Sequence, residues 1–121
     1  MLPPAQGNTA ATGVLTQPVP GLPPDASARL LAVLAACPAV ESTWLYGSRA
    51  MGRHQPASDV DLTLQGAHLS HRDLLQLMEA IDDLLLPWQV DLSLHADLHD
   101  DLRDHVERVG LPVLTRMERK D

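Results

Sequence analysis

The order of elements in this chain predicts an α/β (α+β) fold: a small mixed sheet with helices packed mainly on one face. Two observations carry the prediction. Residues 59–64 and 90–94 alternate polar with apolar side chains, the period of a strand with one buried face. Around them run stretches whose apolar residues recur at three and four, the period of a helix with one buried side. Along the chain the order is helix, strand, turn, strand, helix, strand, helix, which suits helices layered on a sheet.

Residues 1–24 read as a proline-rich arm. They hold six of the ten prolines, no charge and little periodicity. Val14, Leu15, Val19 and Leu22 leave open that part of the arm packs on a surface. The domain proper is expected over residues 25–121. Asp25 is placed to cap a helix carrying Leu30, Val33, Leu34 and Cys37 inward, and Pro38 stops it. Ser42 to Tyr46 is β-prone and runs into Gly47-Ser48, after which a short helix is expected across Arg49-Ala50-Met51. A polar loop leads to the strand at Asp59 to Leu64. Ser70 and Asp73 have the spacing of a capping box before a helix that turns Leu74, Leu77, Met78, Ile81 and Leu85 inward. Val90 to Leu94 forms the next strand. A last helix runs from about Asp97 to Gly110, and Leu111 to Leu114 adds a short edge strand.

Composition excludes several classes. A chain of 121 residues makes one domain at most, and no segment approaches the ~20 apolar residues of a membrane span. No Lys or Arg precedes Arg29, so a basic secretory leader is not expected. Cys37 is the only cysteine, and a small buried thiol in a cytoplasmic protein is the reading that follows. Nine basic residues face sixteen acidic ones, a net charge of −7. A protein that grips nucleic acid shows a basic stripe or an aromatic ladder, and this chain has only Trp44, Tyr46 and Trp88. Nucleic acid is therefore not expected as a partner. His95, His99 and His105 share no helix face, so no zinc site is expected.

The chemistry concentrates in three motifs. Gly47-Ser48 is followed after ten residues by Asp59-Val60-Asp61, and a third acid stands in Val90-Asp91-Leu92. Residues two apart on a strand point the same way, with Cα atoms about 6.7 Å apart. Their carboxylates can converge on ions ~3.5–4 Å from each other. If the strand of Asp91 neighbours that of Asp61, three carboxylates meet. At ~7 Å and an effective dielectric near 20, each pair would repel by roughly 2.4 kcal/mol. Such a face calls for Mg²⁺ or Mn²⁺, which prefer oxygen ligands. Gly47 lets the backbone approach a phosphate, N–H groups opening a helix would bind it, and the Ser48 hydroxyl would add a hydrogen bond. Arg49 and Arg53 are candidates to pair with triphosphate oxygens. Taken alone, Asp-x-Asp is far better read as a solvated strand face; Gly-Ser at this distance is what reverses that reading.

Gly47-Ser48-Arg49-Ala50-Met51-Gly52, Ser58-Asp59-Val60-Asp61-Leu62 and Val90-Asp91-Leu92 together resemble the minimal nucleotidyltransferase (MNT) family of the DNA polymerase β superfamily, over roughly Asp25 to Arg116. The resemblance implies a polymerase β palm-like fold. It implies that Asp59 and Asp61 ligate two Mg²⁺ (or Mn²⁺) ions, and that Asp91 holds the ion activating an acceptor hydroxyl. That hydroxyl would attack the α-phosphate of an NTP, ATP being expected, near Gly47, Ser48, Arg49 and Arg53. The chain leaves no length for a built-in small-molecule pocket, so the acceptor is expected on another chain. Family members of this size are commonly antitoxins that adenylylate a tyrosine of a HEPN ribonuclease toxin. A second expectation stands beside it: a non-catalytic antitoxin or nucleotide-binding module that neutralises its partner sterically.

Overall fold

The computed structural model describes residues 13–117; residues 1–12 of the expected arm lie outside it. A five-stranded sheet is formed by β1 (Val14–Thr16), β2 (Ser42–Tyr46), β3 (Val60–Gln65), β4 (Val90–Leu94) and β5 (Leu111–Arg116). Three helices accompany it: α1 (Pro24–Ala35), α2 (His71–Asp82) and α3 (Asp100–Val109). The strand order is β1-β5-β2-β3-β4. Only β3 and β4 pair in parallel, joined by a crossover through α2, so the sheet is mixed as expected.

Alternation on the strands decides the layers. Leu45, Val60, Leu62, Leu64, Leu92 and Leu94 point to one face and bury there. The α1 residues Leu30, Leu31 and Leu34 and the α2 residues Leu77 and Ile81 close over them. The opposite face carries Trp44, Tyr46, Asp61, Asp91 and Ser93, and α3 crosses part of it. Val106 of α3 is buried, yet it stands outside the main apolar cluster. Gly110, at the end of α3, lets the chain pass close to the Trp44 ring.

The helix ends follow their local signals with small shifts. Helix α1 begins one residue before the expected cap: Pro23 is the N-cap and Pro24 opens the helix, where its missing N–H costs nothing. Ser70 and Asp73 form the reciprocal capping box, each side chain bonding the other's backbone N–H at 3.1 Å. Helix α3 starts at Asp100, because His95–Asp97 is taken by a separate turn of 3₁₀ helix.

Three expectations are corrected. The apolar face of α2 does not reach Leu85: the helix ends at Asp82, and Leu85 adopts φ +56° with 86% of its surface exposed. Strand β5 is internal, because β1 covers its outer edge. Pro112 is tolerated there at a register shift opposite Thr43 and Trp44, where the ladder is already interrupted. The stretch after Ser48 is a single hydrogen-bonded turn, with Met51 N–H on Gly47 O and Arg53 N–H on Ser48 O, and not a helix. Of the apolar residues whose packing the sequence left open, Val19 and Leu22 are buried, Val14 packs against the core and Leu15 is half exposed. Among the described residues, no helix is long and apolar enough to cross a membrane.

Candidate nucleotide and metal site

Strand register builds the site. Tyr46 pairs with Asp61 across β2 and β3, and Asp61 pairs with Asp91 across β3 and β4. The three side chains form one row on the face away from the apolar core. The parallel pairing makes Asp61 and Asp91 direct lateral neighbours, on strands about 4.8 Å apart. Their carboxyl groups are close enough for each to act on the other. Asp59 stands just before β3 and is exposed.

The electrostatics follow from this crowding. The Asp61 carboxyl is pushed up to about 6. Partial burial is the largest cause, followed by the Asp91 charge, the hydrogen bond with Asp91 and the more distant Asp59 charge. Protonation of Asp61 relieves the repulsion that a divalent cation would otherwise relieve. Tyr46 is raised by burial as well; its hydrogen bond with Ser93 works the other way, and the charges of Asp61 and Asp91 add to the rise. The Gln89 amide donates to Asp91 Oδ1 at 3.3 Å and holds that carboxylate from its own strand side.

The Gly47-Ser48 turn closes over this row. Gly47 has φ +76°, and a Cβ there would collide with the Asp61 carboxylate. Glycine is thus required by both the turn and its contact with the acid. The Gly47 N–H donates to His105 Nε2 at 3.2 Å, so the imidazole presents its unprotonated Nε2 to the turn. The same ring meets Tyr46 edge-on, with centroids 6.2 Å apart at 84°. His105 reaches the site from α3; the sequence offers it only as a zinc ligand, which its spacing disfavours, and no local signal links it to the Gly47 turn.

The expected residues do not all converge. Asp61, Asp91, Gly47 and Ser48 come together, with Asp59 at the margin and Arg53 exposed on the adjoining loop. Arg49 is corrected. Its side chain is only 1% exposed, and its guanidinium is committed to the carbonyls of Pro20, Pro56 and Ser58. Burial against those carbonyls takes it away from any phosphate. Among the described residues, no three acidic, histidine or cysteine side chains are gathered closely enough to enclose an ion as they stand. The donor set nonetheless fits a hard divalent cation: carboxylate oxygens side by side on adjacent strands. Beside Asp91 a cleft of about 230 Å³ opens at the free edge of β4, lined by Met78, Asp82, Gln89 and Leu92.

Comparison with known proteins bears on the family and the fold. Residues 29–119 match the family model described as polymerase beta, nucleotidyltransferase. A Haemophilus influenzae chain named probable protein adenylyltransferase MntA is 34% identical over 71 residues, 56% of this chain and 60% of that one. A solved structure described as a minimal nucleotidyltransferase is 31% identical, covers 70% of this chain and 89% of its own, and superposes with a TM-score of 0.56. The complex of a tri-AMPylated Shewanella oneidensis HEPN toxin with an MNT antitoxin contains a chain of the same fold. That chain is 19% identical with a TM-score of 0.54, covering 71% of this chain and 66% of its own.

Proposed function

Because this chain belongs to the polymerase β nucleotidyltransferase family, we propose that it moves AMP from ATP to a tyrosine hydroxyl of a HEPN-type toxin partner, and so acts as the antitoxin of that pair. The observation that carries the proposal is the Asp61–Asp91 pair, in register under the Gly47-Ser48 turn. The relatives supply the partner and the acceptor: one is named a protein adenylyltransferase, and another is bound to an AMPylated HEPN toxin. A cytoplasmic setting goes with that pairing.

In this reading Asp59, Asp61 and Asp91 hold Mg²⁺ or Mn²⁺, which when bound neutralises the triphosphate and polarises the phosphate under attack. Gly47 and Ser48 orient the phosphates, with Arg53 the cation left free to reach them. Asp91 faces the open edge of the sheet and takes the proton of the incoming tyrosine hydroxyl. That oxygen forms its bond to the α-phosphorus as the bond to pyrophosphate breaks. Positioning supplies much of the rate, since the acceptor arrives on a docked protein.

Labelled ATP, Mg²⁺ and the partner toxin test the proposal. Label is expected on a partner tyrosine with the native chain and not with Asp59→Ala/Asp61→Ala. One observation favours the steric alternative: Leu75, Met78 and Leu85 are exposed around α2 and its end, a surface suited to protein contact. No transfer by the native chain, with neutralisation intact in the double variant, would establish the steric role and overturn the enzymatic one.

A further inference from the structure

We propose that Arg49 is a positioning residue: by clamping the loop at residues 53–58 to the Pro20–Gly21 segment, it sets where Asp59 stands for the cation. The inference rests on the nucleotidyltransferase reading and adds a residue to it.

Among the described residues, Arg49 is the largest side chain that is fully buried. Its Nε and Nη2 both donate to the Ser58 carbonyl, at 3.2 and 2.8 Å. Nη2 also reaches the Pro56 carbonyl at 3.3 Å, and Nη1 the Pro20 carbonyl at 2.8 Å. A planar fork with five donors can span three carbonyls from separate segments; the point charge of a lysine cannot. Ser58 O belongs to the same rigid peptide plane as the Cα of Asp59. Gripping that oxygen with two donors from one guanidinium edge therefore fixes the plane from which the Asp59 side chain departs.

Asp59 has need of this. It precedes β3 and takes no part in the pairing register, which begins at Val60. Its far side is held by Val60 N–H on Gln89 O, at 2.9 Å. Its near side has Arg49. The Pro56 carbonyl accepts from Trp88 Nε1 as well, at 2.8 Å, so the loop is fastened both to the 20–21 segment and to the stretch leading into Asp91. Gly21 completes the clamp. It has φ +86°, and a Cβ there would lie 2.5 Å from both Arg49 Nη1 and His54 Nε2. The segment before α1 thereby becomes part of the machinery that places a metal ligand.

The experiment uses the full chain and its Arg49→Lys, Arg49→Met and Gly21→Ala variants. Mn²⁺ binding is read from the signal of free Mn²⁺ in electron paramagnetic resonance, alongside AMP transfer to the partner and partner affinity. Folded variants are expected to bind Mn²⁺ about tenfold more weakly or worse, as when a group supporting a metal ligand is lost. The Mn²⁺ needed for half-maximal transfer should rise in step, partner affinity should hold, and Lys should fall between Arg and Met. If Arg49→Met does not fold, Arg49→Lys and Gly21→Ala decide. Wild-type Mn²⁺ affinity in the folded variants, with only thermal stability reduced, overturns the inference alone. A native chain that binds no Mn²⁺ overturns the proposed function, and this inference with it.

Discussion

At the residue scale, Asp61 is where physics and proposed chemistry meet. Its carboxyl is raised from 3.8 to about 6, so the folded protein binds its proton more tightly than the unfolded chain does. A raised group contributes stability in full below the unfolded value and loses it as pH rises through the folded value. The metal-free protein should therefore lose stability between about pH 4 and about pH 6 from this group, and Asp61→Asn should flatten that part of the profile in thermal denaturation. Metal requires the ionised carboxylate, so Mn²⁺ affinity should weaken as pH falls below about 6, which calorimetric titration would read. Removing Asp59 and Asp61 together should cost several kcal/mol of transition-state stabilisation, about 10²–10⁴-fold in the rate of label transfer. The motif residues were legible because their spacing is local. The role of Arg49 was not: beside a Gly-Ser turn a cation suggests phosphate, and only its burial against the Pro20 carbonyl, 29 residues away, assigns it to the scaffold.

At the element scale, the Ser70–Asp73 capping signal translated directly into structure, whereas Asp25 lies inside α1 and does not cap it. Ser70→Ala removes the side-chain bond to Asp73 N–H and leaves its partner unreciprocated. It should cost about 1 kcal/mol, measured by urea denaturation. The end of α2 offers the opposite test. Leu85 sits in the left-handed region, which costs an L-residue roughly 1–2 kcal/mol, and glycine would return about 0.5–1 of that as entropy. Leu85→Gly should thus raise stability by about 0.5–1 kcal/mol. A drop in stability would show that the exposed leucine has contacts that outweigh its backbone strain. The sequence suggested a longer apolar face here because Leu84-Leu85-Leu86 continues the composition of the helix. The chain instead leaves the helix after Asp82, with Leu84 and Leu85 N–H on the carbonyls of Ile81 and Asp82. The extra length of β5 was hidden for another reason: its outer partner is β1, from a stretch read as an arm.

At the scale of the whole molecule, one apolar layer between the sheet and helices α1 and α2 holds the acidic row on the other face. Leu62 is fully buried in that layer, directly between Asp61 and Thr63. Leu62→Ala should lower stability by about 2–5 kcal/mol, a large share of the ~5–15 kcal/mol typical of a domain, and denaturant titration should show the shifted midpoint. The strand periods, the capping box of α2, the Gly-Ser turn and the three acids with their spacing were all determined by sequence alone. Each depends on residues within a few positions of one another. The tertiary structure alone decided that Asp61 and Asp91 are lateral neighbours in one acidic row. It alone brought His105 onto the Gly47 N–H across 58 residues and turned Arg49 inward. Such contacts depend on strand order and register, which are set by burying the apolar face of the entire sheet and leave no mark in local periodicity.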